Sequence, residues 1–272
     1  MQHYSISPRE MAASFWRNRN LIMALTKREV IGRYRGSTMG ILWSFFNPLL
    51  MLAVYVFVFG YIFNARWQAG SGTKVEFVLL LFAGLIVFNL FSECVNRAPS
   101  LILYNVNYVK KVVFPLEIYP WVVMGSAFFH SFVSLMVWSI FYVALLGCPP
   151  SSALLFPLVI APLIMMSMGI SWLLASLGVY LRDISQIIGP LITMMMFLSG
   201  IFYPVSSIPV EYQALCRLNP LLTIIEQARN VLIWGKVPDY SLLRWYFLGS
   251  LLIFWMGFAW FQRTRKGFAD VI

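Results

Sequence analysis

Residues 118–181 read IYPWVVMGSAFFHSFVSLMVWSIFYVALLGCPPSSALLFPLVIAPLIMMSMGISWLLASLGVYL, 64 residues without one Asp, Glu, Lys or Arg. A helix crossing the hydrocarbon of a bilayer needs about 20 mostly apolar residues, so this stretch holds two crossings. The break between them is Gly147-Cys148-Pro149-Pro150-Ser151-Ser152, because consecutive prolines cannot continue a helix. The reading is therefore one span at 118–146 and another at 154–180.

Working outward, the other charge gaps supply four more spans. Thirty uncharged residues separate Arg35 from Arg66, giving a span at 40–63. Sixteen separate Glu76 from Glu93, giving a span at 77–95 with Glu93 near an interface. A span at 185–203 follows Asp183, and one at 245–262 fits the 18 residues between Arg244 and Arg263. Composition agrees: 60% of the chain is apolar and 11% charged, against about a quarter charged in soluble domains. A water-soluble globule and a disordered chain are both excluded. Three cysteines without a C-x-x-C pair and two distant histidines leave no disulfide framework, zinc knuckle or histidine metal site. The expected class is an all-α integral membrane protein: a cytoplasmic interface segment, 1–38, and a six-helix transmembrane domain, 39–272.

Six spans place both termini on one side, and the Lys/Arg distribution says which. Fourteen basic residues fall on the side of the termini and six on the other, so the termini are expected in the cytoplasm. The net charge of +10 is explained by topology and is no sign of a nucleic-acid partner. The first 39 residues are too polar for a signal-peptide core, so the first span is read as an uncleaved anchor.

Ser7-Pro8-Arg9-Glu10 reads as a helix start, with Ser7 as cap, Pro8 in the first turn and Glu10 completing a capping box. Met11, Phe15, Ile22 and Leu25 then share one face, as in an amphipathic helix lying in the membrane interface. Gly32, Gly36 and Gly40 are either a hinge into the first span or a small-residue packing stripe. In the segment 204–244, Pro204 and Pro209 come early, and Asn219-Pro220 can cap a helix running to Trp234 and Gly235. Its face Leu221, Leu222, Ile225, Ala228 and Leu232 is apolar enough to dip into the bilayer, so short re-entrant external helices are expected between spans 5 and 6.

The chain has no G-x-x-x-x-G-K-[ST] and so no P-loop of its own. No acid, Lys or Arg lies in mid-span, which speaks against a proton relay. His130 reads as a hydrogen-bonding packing residue, and Arg182-Asp183 as a loop ion pair. No nucleophile–base constellation supports an enzyme.

These residues carry a family pattern. Lys27-Arg28-Glu29-Val30, Arg33-Tyr34-Arg35-Gly36-Ser37 and Gly40-Ile41-Leu42-Trp43-Ser44-Phe45-Phe46-Asn47-Pro48-Leu49 resemble the start of ABC type-2 permeases that export polysaccharide. Lys110-Lys111-Val112-Val113-Phe114-Pro115, Leu181-Arg182-Asp183-Ile184, Phe202-Tyr203-Pro204 and Asn219-Pro220-Leu221 resemble the family's later segments in order and spacing. The similarity is greatest to O-antigen exporter permeases of Gram-negative bacteria, with capsule and teichoic-acid permeases sharing nearly the same motifs. The resemblance implies a bacterial inner-membrane homodimer that binds no cofactor itself. Two copies of a separate subunit would hold ATP and Mg2+. It also implies that Asn96, Arg97, Asn105 and Lys110, with Arg182 and Asp183 of the second loop, contact that subunit, and that the substrate is a lipid-linked glycan.

A sliding polymer of sugars favours aromatic faces over fixed charges. On the first span Trp43, Asn47, Met51, Tyr55 and Phe59 recur every four residues on one face. The fifth span offers Met195, Phe197, Ser199, Phe202 and Tyr203. These are the candidate pathway residues, although aromatics also serve as interfacial anchors. Lys27, Arg28, Arg33 and Arg35 either attract anionic lipid head groups or grip the pyrophosphate of a lipid-linked glycan. Export of a teichoic acid, capsule, drug or lipid by the same fold is the alternative reading. A membrane glycosyl- or acyltransferase would require clustered acids or a histidine paired with an acid at one interface, and the sequence offers neither. A secondary transporter would carry inverted internal repeats, and the sequence shows no convincing one.

Overall fold

The structure, a computed structural model, describes residues 5–63, 73–110, 114–204, 207–217 and 219–272. Arg66 and Lys111, both counted for topology, and the Lys110 side chain lie outside the described residues. Among the described residues every regular element is helical. Five helical stretches are long and apolar enough to cross a membrane: Gly40–Ile62, Lys74–Ser100, Leu116–Leu146, Ser151–Tyr180 and Tyr240–Val271.

Helix α1 is Pro8–Arg33. Ser7 caps it, its Oγ accepting from the Glu10 N–H at 3.1 Å. Only half of the expected capping box forms, because the Glu10 carboxylate turns to Arg17 at 2.8 Å. The face of α1 carrying Phe15, Ile22 and Leu25 packs on Ile118, Trp121 and Val122. Gly36 and Gly40 then adopt φ of +87° and +53°, and a Cβ at Gly32, Gly36 or Gly40 would meet open space. That is the hinge of the two readings, since positive φ suits glycine alone.

Helix α2, Trp43–Tyr55, contains Pro48 and widens into a π-helical stretch, Val56–Ile62. Helix α3, Lys74–Arg97, is the hub, buried along nearly its whole length between α5, α6 and α9. Short helical turns and α4, Val106–Lys110, follow it. Helix α5, Tyr119–Leu146, stops at Gly147 (φ +89°) ahead of the two prolines, where the sequence places the break. Helix α6, Phe156–Tyr180, lies against α10, Tyr240–Thr264, the most extensive helix pair among the described residues. Gly169 and Gly257 meet there backbone to backbone. Without a hydrophobic drive in lipid, such close packing is what holds helices together.

Helix α7, Ile184–Leu198, has 15 residues, fewer than the expected fifth span, because the chain turns at Gly200 (φ +63°). It is apolar but shorter than the other five. Helices α8, Val210–Arg217, and α9, Pro220–Leu232, follow, the latter capped as expected by Asn219, whose Oδ1 accepts from the Leu221 N–H. The apolar face of α9 is buried against α3 and α6. It contacts protein, where the sequence suggested lipid. A short helix α11, Phe268–Val271, ends the chain.

Candidate functional site

The elements just described flank an open pocket of ≈ 310 Å³ with mixed polar and apolar lining beneath the α1–α2 hinge. The hinge supplies Arg33 and Tyr34. Helix α2 supplies Ser44, Asn47, Pro48, Met51 and Tyr55, whose spacing puts them on one face. Helix α3 supplies Phe82, Leu85, Ile86, Asn89, Ser92 and Glu93 by the same periodicity, and α5 supplies His130, Ser131 and Ser134.

The charged end of the cavity is a network. Arg33 Nη2 donates to Glu93 Oε1 at 2.5 Å. His130 Nδ1 lies 3.1 Å from Glu93 Oε2 and 3.0 Å from Arg33 Nη1. That nitrogen donates to the carboxylate or accepts from the guanidinium, and one atom cannot do both. A second rung lies one turn further on each helix, where Arg97 donates to Glu29; Arg97 Nη1 also sits 3.7 Å from Glu93. Burial pushes the Tyr34 phenol above its ordinary range, with the Arg33 charge opposing, so it stays a neutral donor. His130 is thus a hydrogen-bonding packing residue, as the sequence suggests, and what the sequence does not show is that it bridges α3, α5 and α1.

Beyond Tyr55 the π-helical stretch continues α2 into an aromatic run. Phe59 lies 6.4 Å from Tyr55 and 5.8 Å from both Phe202 and Phe77, ring centre to ring centre, and Phe202 lies 5.6 Å from Phe197. Tyr203 donates to the Phe197 carbonyl at 2.5 Å. Trp43 begins α2 outside the cavity lining. Of the candidate pathway residues, Asn47, Met51 and Tyr55 thus line the cavity, while Phe59, Phe197, Phe202 and Tyr203 form the cluster past it.

A second hollow, ≈ 450 Å³, lies between α1, the end of α3 and the start of α5. It gathers Arg28, Glu29, Asn96, Arg97, Tyr104, Asn105 and Tyr119. Its floor is rigid: the turn Ala98–Ser100 rests its Pro99 backbone on Gly178 of α6, where a Cβ would collide. Its rim is open, with Tyr104 85% exposed. Asn96, Arg97 and Asn105 come together as the sequence suggests. Arg182 and Asp183 do not join them; both are exposed between α6 and α7, and among the described residues no ion pair links them.

The basic quartet is likewise divided. Arg33 is in the cavity, Arg28 lines the groove, and Lys27 and Arg35 are exposed outside both. Sequence reasoning missed Glu93, His130, Asn89, Ser131 and Ser134 as partners in one cavity. Their signal was the three- and four-residue spacing of polar positions inside two apolar runs. Among the described residues no three His, Cys, Asp or Glu side chains converge as a metal site requires.

Comparison with known proteins places this architecture. Residues 20–233 match the model of the family described as "ABC-2 type transporter". The O-antigen export system permease protein RfbA of Myxococcus xanthus is 27% identical over 264 residues, covering 96% of this chain and 99% of that protein. RfbA of Klebsiella pneumoniae is 24% identical, covering 93% and 95%. The polysialic acid transport protein KpsM of Escherichia coli is 25% identical, covering 90% and 93%. Apolar helices long enough to cross the bilayer several times, and a match over most of the chain, make this multi-pass membrane protein a member of the ABC-2 type transporter family, a transport subunit and not an enzyme.

Proposed function

We propose that the chain is the permease of an ATP-driven exporter that carries a lipid-linked, O-antigen-like polysaccharide from the cytoplasm to the outer face of the bacterial inner membrane. The observation that carries this reading is one side of α2 and of the π-helical stretch that continues it. From Ser44 to Phe59 it passes from a pocket with polar groups to an aromatic run. Amides and hydroxyls suit sugar hydroxyl groups, and rings suit sugar C–H faces without fixing a register. The full-length similarity to O-antigen permeases supports the same substrate class.

Two copies of the chain form the conduit, each with a separate ATPase subunit that holds ATP and Mg2+. That subunit docks in the groove of Arg28, Asn96, Arg97, Tyr104 and Asn105. Six spans cross the membrane, α7 being the short fifth, with both termini in the cytoplasm as the Lys/Arg bias favours. Helices α8 and α9 are re-entrant. In support, Arg229 of α9 donates to the carbonyl of Leu80, six residues inside α3. Lys27 and Arg35, exposed just before the first span, attend the pyrophosphate or lipid head groups.

The test is co-reconstitution. The chain with a P-loop ATPase subunit moves lipid-linked glycan across proteoliposomes only with ATP, and deletion of its gene strips surface polysaccharide while the lipid-linked precursor accumulates. Transport by the purified chain alone, or unchanged surface polysaccharide, overturns the proposal.

A further inference from the structure

Arg33 suggests from sequence an anion site, but its geometry says otherwise. We propose that the cavity between α2, α3 and α5 is a charge filter that admits an uncharged glycan segment and rejects an acidic one. This rests on the export reading and adds to it the substrate's chemical class.

Arg33 and Glu93 are the two fixed charges among the described lining residues, and they neutralise each other at 2.5 Å. The pair is braced. His130 touches both members, and Arg97 approaches Glu93 from the next turn while engaged with Glu29. An incoming carboxylate therefore meets a guanidinium already held by a tethered carboxylate. An incoming anion gives up part of its hydration for a lining whose two fixed charges sum to zero, which is unfavourable.

The remaining polar lining is neutral. Asn47, Asn89, Ser92, Ser131 and Ser134 offer donors and acceptors together, as sugar hydroxyls do. Pro48, Met51 and Leu85 give an apolar wall for C–H faces. The exposed basic side chains Lys27 and Arg35 lie outside. The anionic link to the lipid is thereby left at the surface while the sugars enter.

The experiment uses the chain reconstituted with its ATPase partner in proteoliposomes. Two lipid-linked oligosaccharides of equal length are compared, one of neutral hexoses, one with a sialic acid in each repeat. The wild type favours the neutral substrate by about tenfold or more, and Glu93→Gln, which frees the Arg33 charge, reduces or inverts that ratio about tenfold. Arg33→Gln, leaving Glu93 with His130 and the more distant Arg97, sharpens the neutral preference. The double variant Arg33→Gln/Glu93→Gln brings the ratio back toward wild type. Equal handling of both glycans by the wild type, or a ratio unmoved in both single variants, overturns the filter while leaving export intact. Failure to move either glycan overturns export and the filter with it.

Discussion

The guanidinium of Arg229 and the carbonyl of Leu80 meet at 2.9 Å, joining α9 to the inside of α3. Arg229 also donates to the carbonyls of Gly200 and Ile201, at 2.9 and 2.8 Å, so one buried side chain pins α9, α3 and the turn after α7. Gly84 makes the room, since a Cβ there would stand 3.0 Å from Arg229 Nη2. Replacing Arg229 by Met strands those carbonyls in a dry site, and the folded protein should lose about 3 kcal/mol. Arg229→Lys keeps the charge but not the fork, and should fall between. Thermal unfolding in detergent measures both; a melting temperature unchanged in Arg229→Met would show that the pin is dispensable.

Gly257→Ala sets a methyl group into the Gly169 backbone across the α6–α10 contact. Overpacking of this kind should destabilise by about 2 kcal/mol and lower the yield of folded protein. Gly249→Ala, on the same helix but facing open space, is the control. It should be neutral or slightly stabilising, since alanine is the better helix former by up to about 1 kcal/mol. Equal melting temperatures for the two variants would contradict the packing account.

The three free cysteines provide a topology probe without engineering, because Cys148 is exposed between α5 and α6 while Cys94 and Cys216 are buried. With six spans and cytoplasmic termini, Cys148 faces outward. A membrane-impermeant maleimide should label it in intact spheroplasts, and Cys148→Ser should abolish the labelling. Labelling only after the membrane is opened would invert the orientation.

Docking and pathway should separate by mutation. Tyr104→Ala removes a ring that touches little of its own chain, so it should leave stability within about 0.5 kcal/mol while cutting co-purification of the ATPase subunit several-fold. Phe59→Ala removes the centre of the aromatic run; it should slow export while the ATPase subunit still co-purifies. If Tyr104→Ala retains the ATPase subunit in full, the groove is not its dock.

Much of the architecture was legible in one dimension. Charge gaps locate membrane helices because a charge in hydrocarbon is expensive, and Gly147 with two prolines stops α5 by backbone geometry alone. Ser7 and Asn219 cap α1 and α9 by local hydrogen bonds that need no distant partner. The length of α7 was less legible. Its apolar run continues to Phe202, but the helix ends at the Gly200 turn, held by Arg229 from a helix some thirty residues later.

The cavity belongs to the fold. Periodicity put Asn47 and Tyr55 on one face of α2, and it could have put Asn89 and Glu93 on one face of α3. It could not say that those faces meet, or that His130 lies between Arg33 and Glu93, 97 and 37 residues away in sequence. Helix formation and membrane partition are properties of short segments, so the chain alone decided them. The pairing of Arg33 with Glu93, which turns an apparent anion site into a neutral cavity, depends on three helices packing at one place, and tertiary structure alone decided that.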